Sequence, residues 1–207
     1  METLILRKLD KGDLLQVSMI HKNAFPESAL SQLGMEAIRR YYEWQLTGPH
    51  DCHAIGVYKM EELLGYCFAG SFNGAMSGFL KNNQKYLGFR IVTHPWLLQN
   101  PLVLDRLRLA KRVFRRSKVI ANTHTQNTQP SFGVLSIAVN PSQQGLGVGK
   151  LLMDDIEAIA LEKKFKELNL TVHTDNFRAV KFYESLGWRK VMNSFGNWDG
   201  GMQKVLG

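Results

Sequence analysis

Residues Val134–Lys150 read VLSIAVNPSQQGLGVGK, and the order of residue types in this stretch decides the fold. Val134–Val139 is a short apolar run rich in β-branched residues, which predicts a strand. Asn140-Pro141-Ser142 ends it, because proline has no N–H for a ladder and all three residues favour turns. Gly145, Gly147 and Gly149 follow at alternate positions, and then Leu152, Ile156 and Ile159 recur at helical spacing. Strand, glycine loop and helix start make an anion cradle. The first helical turn leaves backbone N–H groups unpaired, the helix dipole adds positive charge there, and glycine lets a phosphate approach closely.

The spacing narrows what the cradle holds. A nucleotide-hydrolysing loop needs Gly, four residues, Gly-Lys and then Ser or Thr. Here Gln144 stands five before Gly149, and Leu151 follows Lys150. A dinucleotide fingerprint needs Gly-x-Gly-x-x-Gly near the first strand, whereas this chain has Gly-x-Gly-x-Gly late in its length.

Downstream, Leu168–Val191 reads LNLTVHTDNFRAVKFYESLGWRKV. Leu168, Leu170 and Val172 alternate with polar residues, as in a strand. Asp175-Asn176 offers an N-cap, Ala179 to Leu186 reads as helix, and Gly187 suits the position after its end. Asn176 and Tyr183 are seven apart, about two turns, and so share one helix face.

Gln144-x-x-Gly147-x-Gly149, followed after an amphipathic helix by strand, Asn, helix with Phe182-Tyr183 and Leu186-Gly187-Trp188, resembles the GNAT superfamily of N-acetyltransferases. The resemblance implies an α/β (α+β) fold with a central, mixed, mostly antiparallel twisted sheet flanked by helices. It implies acetyl-CoA as cofactor. Pyrophosphate would lie on the backbone of Gln144, Gly145, Leu146, Gly147, Val148, Gly149 and Lys150, and pantetheine on Ile137, Ala138 and Val139. Asn176 would contact pantetheine, and Tyr183 would border the sulfur. A phenol of reference pKa near 10 can protonate a departing thiolate of comparable basicity, so Tyr183 is the expected acid. For the base, the resemblance points to Glu27 in the loop between the first two helices. Asp51, His53, His124 and Asp175 are rivals, as is a chain of waters. His173 at a strand end reads as structural.

A chain of 207 residues with 44% hydrophobic and 21% charged residues suits a single domain spanning 1–207. No apolar run reaches the roughly 18 residues of a spanning helix, and the N-terminus is not a signal peptide, so a cytoplasmic location is expected. Cys52 and Cys67 lack metal spacing and read as free thiols. The net charge of +8 is uneven: residues 75–130 hold ten of the 26 basic residues and one of the 18 acids, Asp105.

Outside 75–130 the chain reads as strand (3–9), helix capped by Asp10, a break at Phe25-Pro26-Glu27-Ser28, and a second helix from Ser28 or Ser31 to Trp44. A hairpin of His53–Lys59 with Leu63–Phe72 comes next. Tyr41, Tyr42 and Trp44 on the second helix suit either core or an acceptor wall. Residues 75–130 form a basic, largely helical insertion between the third and fourth strands. In it Val103, Leu107, Ala110 and Phe114 make one stripe, with Arg108, Lys111, Arg112, Arg115 and Arg116 opposite. It reads as a solvated face, as a lid attracting an anionic acceptor, or as a peripheral membrane contact. Without aromatic residues among the charges, nucleic acid is not expected.

The resulting expectation is direct acetyl transfer to a primary amine, either an amino sugar nucleotide or another small amine. The alternatives are a protein N-terminal or lysine acetyltransferase and an inactive CoA-binding module. Homodimer formation stays open.

Overall fold

The computed structural model describes residues 3–72, 75–99, 104 and 132–207. The helix expected around Pro101–Lys118 and the rival base His124 lie outside these residues. The strands are β1 (Leu4–Lys8), β2 (Asp51–Lys59), β3 (Glu62–Ser71), β4 (Phe132–Val139), β5 (Glu167–Thr171), β6 (Arg189–Met192) and β7 (Trp198–Val205). They form one sheet in the order β1-β2-β3-β4-β5-β7-β6. Every neighbouring pair is antiparallel except β4 with β5. The helices are α1 (Leu14–Ala24), α2 (Ala29–Leu33), α3 (Met35–Thr47), α4 (Ala75–Asn82), α5 (Gln84–Thr93), α6 (Val148–Glu162) and α7 (Phe177–Ser185). None among the described residues is long and apolar enough to cross a membrane.

Strand alternation divides the core between the two faces of the sheet. Tyr66 and Phe68 of β3 pack with Leu14, Val17, Ile20, Ile38 and Tyr42 of α1 and α3. Cys67 and Ala69 pack on the other face with Leu152, Ile156, Val180 and Tyr183 of α6 and α7. Each large side chain so buried contributes about 1.5–3 kcal/mol. The register of β3 on β4 slips between Phe68 and Ala69, which face Ser136 and Val134, so Leu135 is the extra residue of a bulge.

Asp10 caps the first turn as expected. Its carboxylate accepts from Gly12 N–H at 2.6 Å, while Asp13 accepts from Asp10 N–H at 2.9 Å. The single helix expected from Ser28 or Ser31 to Trp44 is instead two. Gly34 at φ +97° turns the backbone where no helix can continue, and Ser28 caps the short α2 by accepting from Ser31 N–H. Within the insertion, α4 lies against α3: Trp44 Nε1 donates to the Ala75 carbonyl at 2.8 Å, and Tyr41 meets Phe79 edge-on. Tyr42 is fully buried, so these aromatics serve as core and as the seat of the insertion rather than as an acceptor wall.

Candidate active site

β4 and β5 part company early. Their parallel pairing covers only Phe132–Val134 against Leu168–Leu170, so from Leu135 onward β4 has no described strand on that side. Alternate residues of an unpaired strand edge point their backbone N–H and C=O groups outward, ready to bond a guest. The V-shaped gap opens into a cleft of about 400 Å³ whose walls include Ile137, Ala138 and Val139.

The loop that follows is shaped by its residues. Asn140 accepts from Ser142 N–H and Pro141 starts a single 3₁₀ turn. Gly145 (φ +89°) and Gly147 (φ +78°) then take left-handed conformations that favour glycine. Gly147 is the N-cap of α6, and no side chain caps that end, so the N–H groups of its first turn face outward with the dipole behind them. At both glycines an added Cβ would meet nothing within 4 Å, leaving room for a ligand to reach the backbone. At Gly149 an added Cβ would come within 3.2 Å of the Phe182 ring, so this glycine brings α6 and α7 together.

The opposite wall is α7. Asn176 caps it, its Oδ1 accepting from Ala179 N–H at 3.1 Å. Asn176 and Tyr183 both line the cleft, with Arg178, Ala179 and Phe182 between them. Tyr183 is only 7% exposed, and its hydroxyl has no hydrogen-bond partner among the described residues. Burial, and after it the nearby Cys67, pushes its phenol well above the ordinary value, so it stays protonated. Ala24 and Phe25 at the end of α1 also line the cleft.

Of the expected acetyl-CoA contacts, the expected acid and the favoured base, all but two line this cleft: Leu146, whose side chain is exposed, and Glu27. Glu27 lies exposed in the turn between α1 and α2, two residues beyond Phe25. Lys150 lines the cleft while pairing with Asp154 at 2.6 Å. The rival bases lie elsewhere: Asp51 pairs with Lys163, and His53 Nε2 lies 2.8 Å from Asp155. His173 and Asp175 are solvent-exposed side chains 3.8 Å apart, so His173 is a surface residue and not the structural one expected. Sequence reading missed Gln143 and Arg178. Arg178, two residues past the cap, was detectable as a cation in the first turn of a helix that borders an anion site. His21 was missed too, and nothing local marks it: it is a buried histidine hydrogen-bonded to Tyr42, Tyr66 and Ser28.

Both thiols are held protonated. Burial, with Asp51 adding to it, pushes Cys52 up to about 12, and burial raises fully enclosed Cys67 further. Neither is poised as a nucleophile.

Known proteins share this architecture. The PaiA N-acetyltransferase of Thermoplasma acidophilum, crystallised with coenzyme A, superposes with a TM-score of 0.58 at 13% identity, covering 98% of this chain and 99% of its own. The ribosomal-protein-S18-alanine N-acetyltransferase of Escherichia coli gives 0.56 at 15%, covering 99% and 94%. A putative acetyltransferase, YncA, of Salmonella typhimurium, solved with acetyl-CoA, gives 0.57 at 16%, covering 99% and 94%. No curated protein sequence matches significantly. At these identities the structures establish the fold alone. Residues 18–188, which span the cradle, the parted strands and α7, match the family model described as acetyltransferase (GNAT), and the chain belongs to that family.

Proposed function

We propose that this protein transfers an acetyl group from acetyl-CoA directly to a primary amine, with Tyr183 as the acid. The observation that carries this reading is Tyr183, a largely buried residue whose hydroxyl has no partner among the described residues, on the wall of a cleft whose other walls are an uncapped helix start and an unpaired strand edge.

The residues present fit acetyl-CoA. The N–H groups opening α6 after Gly147 suit its pyrophosphate, helped by the Lys150 and Arg178 cations, and the Ile137–Val139 edge suits the amides of pantetheine. Bound there, acetyl-CoA supplies a thioester carbonyl open to attack. Tyr183 Oη gives its proton to the departing sulfur, the phenol being protonated at physiological pH. Protonated Cys52 and Cys67 favour direct attack over a covalent enzyme intermediate. The acceptor enters past Ala24 and Phe25, where Glu27 in the adjoining turn attracts a cationic amine. An amino sugar nucleotide or another small amine is the favoured acceptor, because residues 75–130 carry the whole basic excess, ten cations to one acid.

Titration calorimetry with acetyl-CoA and thiol release with alkylamines, amino sugar nucleotides and peptides test the reading together. Tyr183→Phe is expected to lower kcat by about 100-fold with the KM for acetyl-CoA little changed. Unchanged turnover at every pH would rule out the acid role.

A further inference from the structure

A chain of polar side chains crosses the apolar core behind the cleft. Ser136 Oγ lies 2.8 Å from Tyr42 Oη, which lies 2.8 Å from Tyr66 Oη and 2.8 Å from His21 Nδ1. Tyr66 Oη is itself 3.2 Å from His21 Nδ1. His21 Nε2 lies 3.2 Å from Ser28 Oγ, which donates to Ser31 Oγ at 3.0 Å. The middle is dry: Tyr42 and Tyr66 have no exposure and His21 has 7%. The two ends, Ser136 and Ser28, are both partly exposed. The series is thus an unbroken chain of hydrogen-bond distances whose two end residues are partly exposed.

The ends open in different places. Ser136 directly precedes Ile137 and Ala138 of the cleft wall, and shares with Ala138 the sheet face that looks toward α1. Ser28 lies at the α1–α2 turn, beside exposed Glu27. His21 also packs edge-on against Phe25, the aromatic wall of the cleft, at 5.1 Å between ring centres.

We propose that Ser136, Tyr42, His21 and Ser28 form a proton relay that carries the proton of the acceptor ammonium from the cleft to the α1–α2 turn. The inference rests on the acetyl-transfer reading above. An alkylamine of pKa near 10 is about 99.9% protonated at pH 7 and has no lone pair with which to attack. As the ammonium N–H gives its proton to Ser136 Oγ, the Ser136 proton passes to Tyr42 Oη and the Tyr42 proton to His21 Nδ1. His21 Nε2–H passes its proton to Ser28 Oγ, and Ser28 releases one to solvent. Each group ends with the proton count it began with, and His21 has exchanged one tautomer for the other. The acceptor nitrogen is left with the lone pair that forms the amide as the C–S bond breaks.

The surroundings suit transit rather than storage. Facing His21 are Tyr42 from α3, Tyr66 from β3, Ser28 from the turn and Phe25 just past the end of its own helix, and none of these partners is a carboxylate or a cation. Burial pushes the imidazole down to about 4, so it is neutral at working pH and free to accept at one nitrogen while donating at the other. In this scheme Ser136 meets the acceptor, Tyr42 and His21 pass the proton on, and Tyr66, at hydrogen-bond distance from both, is a positioning residue.

The test compares Ser136→Ala and Tyr42→Phe with wild type across pH 6–10, using acetyl-CoA and whichever amine of the panel wild type acetylates fastest. Expected is a 10- to 100-fold lower kcat at pH 7, with the acceptor KM within about threefold and the deficit shrinking toward pH 10 as the amine arrives unprotonated. An absent deficit, or one of equal size at every pH, overturns the relay. Should Tyr42→Phe fail to fold, Ser136→Ala decides alone, since it removes one partly exposed hydroxyl. If no amine of the panel makes wild type release thiol from acetyl-CoA, the acetyl-transfer reading fails and the relay with it, an outcome distinct from wild-type turnover with indifferent variants.

Discussion

Gly147 and Gly196 have nearly the same backbone strain to offer and different neighbours, which separates conformation from binding. Their φ angles are +78° and +76°, and at neither would an added Cβ meet an atom within 4 Å. Gly147 stands at the N-cap of α6 on the cleft, whereas Gly196 turns the β6–β7 hairpin. Replacing either with alanine should therefore cost about 1–2 kcal/mol of stability by denaturant titration, the penalty for a Cβ in the left-handed region. Only Gly147→Ala should also weaken acetyl-CoA binding, by about tenfold or more in calorimetry, because its methyl stands where a phosphate would approach the N–H groups. Equal loss of affinity in both variants, or in neither, would contradict the cradle. Positions on the cleft were legible from residue identity, since glycine spacing, a capping Asn176 and a Tyr183 two turns on are local signals. His21, Tyr66 and Ser136 were not: apart from Ser28, their hydrogen-bond partners lie 21 to 94 positions away, and their meeting exists only once α1, α3, β3 and β4 are packed. Arg178 shows a middle case, visible in sequence as a first-turn cation but meaningful only beside the parted strands.

Each element that touches the cleft is fixed by something at its far end, and α1 is the clearest case. Its last turn carries Ala24, Phe25 and His21, while its first is anchored by Asp13, which accepts from Asp10 N–H and from the Arg7 fork at 2.8 and 3.1 Å. Burial pushes the Asp13 carboxyl up, but the Asp10 N–H and the Arg7 guanidinium outweigh it, and the net value lies below the ordinary range. A carboxylate with a depressed folded pKa stabilises the fold above its unfolded pKa, and that contribution is lost as pH falls through the folded value. Asp13→Asn should thus lower stability at pH 7 by about 1–3 kcal/mol, the partner Arg7 being partly exposed and its pairing screened. In urea titrations the gap to wild type should close below about pH 4. A gap that stays constant down to pH 2 would show that the charge of Asp13 contributes nothing. The cap at Asp10 was foreseeable, as Asp followed three residues later by a second acid is a helix-start pattern. The break at Gly34 was not, because one glycine inside a helical pattern is usually tolerated, and only the turn of the chain between α2 and α3 forces φ to +97°.

The sheet as a whole holds two apolar layers, one beneath α1 and α3 and the other beneath α6 and α7, and the gap between β4 and β5 cuts toward both. Strand order up to β4 is a run of antiparallel neighbours, and β5, β7 and β6 form a second group joined to it through three parallel-paired residues of β4. A guest lying along the free edge of Ile137–Val139 and held by α6 and α7 would tie the groups together where the sheet's own ladder has ended. Binding to the folded state alone raises stability by about 2.7 kcal/mol at a ligand concentration of one hundred times Kd. For a chain of this length that corresponds to roughly 5–10 °C in Tm. Acetyl-CoA at that excess should accordingly raise the melting temperature of wild type by this amount, while Gly147→Ala, compared at the same ligand concentration, should keep only a minor part of the rise. Gly196→Ala should melt lower than wild type without ligand yet gain the full increment with it. A wild-type protein whose melting is indifferent to acetyl-CoA would mean that the parted strands are not bridged by it, whatever the glycine loop resembles.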